Sequence, residues 1–201
     1  KYRLLPFIKS VVERECSGVL SFADIFSGTG AVSSAFLDKQ IITNDLMYSN
    51  YVCNLAWFGA QPYRPQTIVE YVTRYNSLSV TEENYMTQNF SNTFFSHDDC
   101  AKIGFIREDI EESFQAGAIN ERERALLITS LLYAMDKIAN TCGHYDAYIQ
   151  GAAYEKSLEL CVPAAQVNNN IGGIERGLKD VDCGDALVEL ADDRAELFGV
   201  F

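Results

Sequence analysis

The chain has 201 residues, 48% of them hydrophobic and only four of them proline, enough for one substantial core, or one core with an inserted subdomain, and too apolar for a disordered chain. No apolar run approaches the roughly 20 residues of a membrane span, and six scattered cysteines (Cys16, Cys53, Cys100, Cys142, Cys161, Cys183) with no CxxC pair support neither a zinc cluster nor a disulfide framework. The formal charge of −12 weighs against nucleic-acid binding, which draws on clustered Lys and Arg.

In chain order, KYRLLPFIKSVVERE places Leu4, Leu5, Ile8, Val11 and Val12 at helical spacing, which predicts a helix packed on a sheet edge. Its charges come too early for a secretory signal. VLSFADIF is a short, mostly apolar run ending at a glycine turn and reads as a strand buried on both faces. GAVSSAFLDKQ has small and apolar residues at helical spacing and reads as a helix; QIITNDL reads as a second strand ending in an acid. Residues 1–60 are therefore expected to form an α/β portion around a β-turn-α-β unit.

Four helical patterns follow: RPQTIVEYVTRYNSL, TEENYMTQNFSNTFF, HDDCAKIGFIREDIEESFQAG and INERERALLITSLLYAMDKIANTCG. His97, Asp98 and Asp99 are capping candidates ahead of Ala101, and Gly143 reads as the C-cap of the last pattern. No repeat period is evident, so residues 61–182 read as a mainly helical insertion, loop-like from Tyr148 to Asp182 around VNNNIGGIERG. Residues 183–201 return to the sheet with a short helix from about Ala186 and a final strand, LFGVF. The expected protein is soluble and, from its unpaired thiols, cytoplasmic. Lys1 at one end, and an apolar run closing at Phe201 with no following turn, suggest a piece of something longer.

The glycine turn carries the chemistry. At the carboxyl end of the first strand of an open α/β sheet, Gly28 and Gly30 let the backbone turn tightly and approach a ligand. Asp45, after the second strand, is placed to accept hydrogen bonds from two ribose hydroxyls. The dinucleotide pattern G-x-G-x-x-G needs Gly or Ala at position 33, where this chain has Ser33, and no G-x-x-x-x-G-K-[ST] occurs. Phe26 offers an apolar wall in place of a phosphate nest. A nucleoside without phosphates fits best.

F-x-D-I-F-S-G-T-G-A-V followed by T-N-D resembles the first two motifs of the S-adenosylmethionine-dependent N6-adenine DNA methyltransferases, in the Dam-like (class alpha) order where cofactor motifs precede the target-recognition region. K-Y-R-L-L-P-F-I resembles that family's amino-terminal motif, and AKIGFIREDIEE through LLITSLLYAMDKIANTCGHYDAY its helical region. C-G-D-A-L-V-E-L resembles the segment just before the catalytic motif. The resemblance implies a Rossmann-like methyltransferase sheet with a helical insertion, S-adenosyl-L-methionine as cofactor, double-stranded DNA as partner, and a restriction-modification setting. It implies that Lys1 lies near the methionine part of the cofactor, Asp24 near its amino group, and Phe26, Ser27, Gly28, Thr29 and Gly30 around the methionine and ribose. Asp45 would take the ribose hydroxyls, Leu46 pack on the adenine, Asp185 accept its exocyclic amine, and Ala186 supply a backbone contact. Asp24 also reads as a strand-end acid in solvent, and Asp185 as a helix cap.

The family's Asp-Pro-Pro-Tyr element occurs nowhere in the chain. The resemblance therefore implies an amino-terminal portion, inactive alone, that holds the cofactor half-site and most of the recognition insert. Basic candidates near DNA are Arg64, Arg74, Lys102, Arg107, Lys156, Arg176 and Lys179, while Tyr63, Tyr71, Tyr75, Tyr85, Phe90, Phe94 and Phe95 read as core ahead of base-stacking roles. Two alternatives stand beside this reading. One is a nucleotide-binding interaction module without catalysis; the other is a methyltransferase acting on RNA or a small molecule.

Overall fold

Two strands, β1 (Ser21–Asp24) and β2 (Gln40–Thr43), pair in parallel in the computed structural model, which describes residues 2–151 and 153–163. Ser21 stands opposite Gln40 and Asp24 opposite Thr43, so both carboxyl ends emerge side by side. Parallel strands need a crossover of a dozen or more residues, and residues 25–39 supply it. The predicted helix over this crossover is not formed as an α-helix. Turns lead into a 3-10 helix, Ser33–Phe36, because Ser33 and Ser34 spend their hydroxyls locally, on Asp24 Oδ2 at 2.9 Å and Ala31 O at 2.8 Å. Phe36 is buried and stacks on Phe22, ring centroids 4.0 Å apart.

That stacking covers one sheet face, where Ile41 and Thr43 are buried; Ser21, Ala23 and Gln40 on the other face are exposed. The expectation of a strand buried on both faces is thus corrected to burial on one, among the described residues. Helix α1 (Leu5–Glu15), entered through a 3-10 turn at Tyr2–Leu4, rests on the Ser33–Phe36 turn and half-buries Leu5, Ile8, Val11 and Val12, while Leu4 is exposed. Helix α2 (Tyr48–Phe58) follows β2 and buries Val52, Cys53, Asn54, Ala56 and Phe58. Its sequence, YSNYVCNLAWF, carries no charge and no capping side chain, so it had no start signal.

The described residues fall into two compact units divided between Pro62 and Tyr63. The second unit is helical: α3 (Pro65–Ser77), α4 (Tyr85–Phe90), α5 (His97–Gln115) and α6 (Glu121–Ile138). Pro65 opens α3 where its missing N–H costs nothing. Asn84 opens α4 in a reciprocal capping box with Thr87, and the helix ends early because Ser91 turns extended and Asn92 takes φ +57°. The α5 cap is Ser96, whose hydroxyl accepts from Asp99 N–H, so His97 becomes its first residue. Asn120 caps α6 with Glu123 as its box partner. That helix stops at Ile138, ahead of Gly143, since Ala139 turns extended and Asn140 Nδ2 bonds Thr93 O at 2.9 Å and Ile149 O at 2.8 Å.

Ile68, Val72 and Tyr75 of α3, Ile103, Ile106 and Ile110 of α5, and Leu126, Leu127, Ile128 and Leu131 of α6 form the helical core. Residues 153–163 form neither helix nor strand, with Leu158 and Leu160 buried. They are strapped down by side chains: Leu158 N–H to Asp99 Oδ1 at 2.9 Å, Leu160 N–H to Asn76 Oδ1 at 2.8 Å, and the Ser130 hydroxyl to Cys161 O at 2.5 Å.

Candidate functional site

Parallel pairing puts the two strand-end loops against each other. Asn44 N–H donates to Asp24 O at 2.9 Å, Ser27 N–H to Asn44 O at 3.0 Å, and Asn44 Nδ2 to Ile25 O at 3.1 Å. The turn beyond them needs glycine twice, since Gly28 sits at φ +54° and Gly30 at φ +84°. At Gly30 space is short as well, because a Cβ would lie 2.6 Å from Phe58 Cε2 and 2.8 Å from Asn54 Oδ1. Gly30 N–H closes the turn on Ser27 O at 3.0 Å.

Asp45 has more structural duties than a ligand-facing acid was expected to carry. Its Oδ2 accepts from Gly28 N–H at 2.8 Å, and its Oδ1 from Met47 N–H at 3.0 Å and Asn50 Nδ2 at 2.9 Å. A carboxylate has about four acceptor positions. The Asp45 carboxylate thus joins the glycine turn to the start of α2 and retains limited capacity for a ligand. Asp24 is half-buried and accepts the Ser33 hydroxyl. Phe26 is 86% exposed and Leu46 54% exposed, leaving an apolar wall on each loop open to solvent. Ser27 is buried and Thr29 exposed. Lys1, Asp185 and Ala186 lie outside the described residues.

The corner combines two carboxylates, a tight glycine turn and two exposed apolar side chains, with no Lys or Arg in residues 21–31 or 40–48. It suits an uncharged or cationic nucleoside-like ligand, whereas a polyphosphate would meet acid without a counter-charge. Asn50 and Asn54 of α2 were not singled out from the sequence, and Ser33 entered only as a departure from the dinucleotide pattern. An asparagine inside the apolar stretch VCNLAWF was the available signal.

Among the described residues, the basic side chains expected near DNA make contacts within the helical unit. Arg64 forks onto the fully buried Glu123 carboxylate at 2.7–2.8 Å. Burial works to raise the Glu123 pKa, but the Arg64 guanidinium and the Asn120 and Arg64 amides outweigh it and hold the group below its ordinary value. Arg74 pairs with Asp109 and lies over Tyr71 and Tyr75, and Arg107 pairs with Glu111 at 2.8 Å. Burial and the Asp109 hydrogen bond push the Tyr75 hydroxyl above its usual pKa. Lys102 reaches Asn76 O at 3.2 Å and Leu158 O at 3.4 Å beside an open cleft of about 460 Å3, and burial lowers its pKa. Lys156 is exposed, with Nζ 3.4 Å from Lys137 O. Arg176 and Lys179 lie outside the described residues. Of the aromatics, Tyr75 and Phe95 are core, whereas Tyr85 is exposed.

Comparison with known proteins places this geometry in a family. The family model for D12 class N6 adenine-specific DNA methyltransferases matches residues 1–173. The chain is 31% identical to the modification methylase LlaI of Lactococcus lactis subsp. lactis, 33% to the type II methyltransferase M.NlaIII of Neisseria lactamica and 28% to the type II methyltransferase M.FokI of Planomicrobium okeanokoites. Each match takes in 75% of this chain, and respectively 26%, 48% and 26% of the relative. The chain therefore spans between a quarter and a half of the curated relatives it matches. No solved structure gives a significant match. Among the described residues no helix is long and apolar enough to cross a membrane. The chain, matched from residue 1 to residue 173, belongs to the D12 class N6 adenine-specific DNA methyltransferase family.

Proposed function

We propose that this chain carries the methyl-donor site of a cytoplasmic enzyme that methylates adenine N6 at specific sites in double-stranded DNA, as the modification partner of a restriction system. S-adenosyl-L-methionine is the donor, and when bound it supplies a methyl group on a positively charged sulfonium. The observation that carries this reading is the corner itself: Asp45 bonded to Gly28 N–H at 2.8 Å, with Asp24 beside it and no cation in either loop. Asp45 holds the ribose hydroxyls, Asp24 and the acidic surroundings favour the positive charge, and Phe26 and Leu46 flank the corner as apolar walls. Lys1, Ser27, Thr29, Asp185 and Ala186 complete the proposed cofactor set. Residues 1–60 belong on this reading to the cofactor-binding portion of a Rossmann-like sheet, with the helical insertion from residue 61 serving target recognition; the expected return to the sheet over residues 183–201 lies outside the described residues.

Adenine in a duplex hides its amino group, so the base is extruded for reaction. Its exocyclic nitrogen is a poor nucleophile, with a lone pair delocalised into the ring. Groups that accept its protons as it turns tetrahedral stabilise the transition state more than the ground state. None of the residues assigned in this chain performs that step; they bind and orient the donor.

The test is transfer. The full-length protein is incubated with methyl-labelled S-adenosylmethionine and duplex DNA, and the DNA is digested to nucleosides. Label in N6-methyldeoxyadenosine is expected. Label in cytosine, transfer to RNA alone, or cofactor binding with no transfer would overturn the reading.

A further inference from the structure

We propose that Asn54 is a positioning residue for the donor corner, holding the Gly28–Gly30 turn in its ligand-ready shape before any ligand arrives. The inference rests on the reading of that corner as the donor site. The Gly28 residue is gripped from both sides: its N–H by Asp45 Oδ2 at 2.8 Å, and its carbonyl by Asn54 Nδ2 at 2.8 Å. Asn54 Nδ2 also reaches Ser27 Oγ at 3.1 Å and Asn50 O at 2.7 Å. One helical turn earlier, Asn50 Nδ2 holds Asp45 Oδ1 at 2.9 Å. Residues four apart share a helix face, so one face of α2 orients both the acid and the glycine turn.

Fold stability does not account for an asparagine at this place. Asn54 is 2% exposed, and its Oδ1 is buried without a hydrogen-bond partner among the described residues. An unmet buried acceptor costs folding free energy that an apolar side chain would not, and such an atom calls for a reason other than packing. That Oδ1 faces Gly30, 2.8 Å from where a Cβ would stand. The amide therefore donates to the turn on one side and bounds it on the other.

The functional consequence follows from how Asp45 is shared. Ribose hydroxyls reaching Asp45 compete with Gly28 N–H, Met47 N–H and Asn50 Nδ2 for one carboxylate. The Asn54 grip on the Gly28 carbonyl uses none of that carboxylate, so it persists while Asp45 changes partners. Without it the turn must be ordered at the moment of binding, and affinity falls by the cost of that ordering.

The test uses the full-length protein, S-adenosylmethionine titrations by calorimetry, and amide hydrogen exchange. Asn54→Leu removes the donors while keeping the branched shape at a larger volume, and Asn54→Ala leaves room for water. Both are expected to lose on the order of 10-fold in S-adenosylmethionine affinity, with faster exchange confined to residues 27–30 and DNA affinity unchanged. A merely structural role would instead lower thermal stability and protection throughout the unit. Wild-type affinity in either variant, or loss of affinity only in step with general unfolding, overturns the proposal. A wild-type measurement covers the case where neither variant folds: the Gly30 amide must already be protected without ligand, and free exchange there refutes preorganisation. Asp45→Ala separates the two readings. If wild type binds and Asp45→Ala does not, while the Asn54 variants bind normally, the donor site stands and the Asn54 role falls. If wild type fails to bind, the donor site itself is wrong.

Discussion

A Cβ at Gly30 would meet Phe58 at 2.6 Å and Asn54 at 2.8 Å, at φ +84°, whereas Gly18 sits at φ +81° with nothing within 4 Å. The two positions share a left-handed backbone and differ in space, so alanine at each separates the two effects. Gly18→Ala carries only left-handed strain, about 1–2 kcal/mol. Gly30→Ala adds overpacking against a buried helix and is expected to cost about 1–3 kcal/mol more. Thermal melts of the two variants check this, and equal losses would contradict the close packing. Gly30 was legible as a glycine the turn needs, since the motif shows it. Its collision with Phe58 was not, because that contact depends on a helix the sequence did not announce. Asp45 was legible as the acid of the turn, but its bond to Gly28 N–H arises only once the strands pair in parallel, bringing positions 17 apart in sequence to 2.8 Å.

The short helix α4 depends on one side chain, Asn84. Asn84 caps α4 and donates to Ala101 O at 2.9 Å, and a Cβ at Gly104 would lie 2.3 Å from its Oδ1. Asn84→Ala is expected to cost about 1 kcal/mol as a lost cap. Gly104→Ala should gain up to about 1 kcal/mol in helix propensity, yet here it displaces the cap and is expected to be net destabilising. In the double variant the clash has no partner, so the two costs should not add; a urea-unfolding double-mutant cycle measures the coupling, and strict additivity would contradict the contact. Glu123 links the starts of α3 and α6 in the same manner. Its folded pKa lies below the ordinary value of 4.5, so it contributes stability above about pH 4.5 that is lost as pH falls through the lower folded value. Glu123→Gln should therefore show a shallower loss of urea midpoint below pH 4.5 than wild type, and parallel profiles would refute the assignment. Helices α3, α5 and α6 were readable from their long periodic runs, although the capping candidates for α5, His97, Asp98 and Asp99, fall one to three residues past its actual cap, Ser96. The crossover was misread because Ser33 and Ser34 compete for backbone and side-chain partners, a contest that spacing does not reveal. The strap at residues 153–163 has no period of its own and is held by distant side chains, Asp99, Asn76, Ser130 and Lys102 among them.

At the scale of the molecule, a net charge of −12 goes with a glycine corner that has acids and no cations, and with arginines committed to carboxylates in the helical unit. These arginines stabilise helices, so Arg74→Ala should lower the thermal midpoint of the helical unit while leaving S-adenosylmethionine affinity unchanged; the converse result would assign Arg74 to the ligand. The account divides donor binding from substrate recognition, and Asp45 is where that division is most exposed. Hydrogen bonds from ribose hydroxyls to a carboxylate are charge-assisted and stronger than neutral ones. Water can replace part of the lost interaction in an open corner, which leaves an expected loss of about 1.4–2.8 kcal/mol, or roughly 10- to 100-fold in affinity. The most direct measurement is a calorimetric titration of the full-length wild type and Asp45→Ala with S-adenosylmethionine, beside a DNA gel shift without cofactor. The account predicts that loss of cofactor affinity with DNA affinity unchanged. Cofactor binding by Asp45→Ala at wild-type strength would contradict it and remove the glycine corner as the donor site.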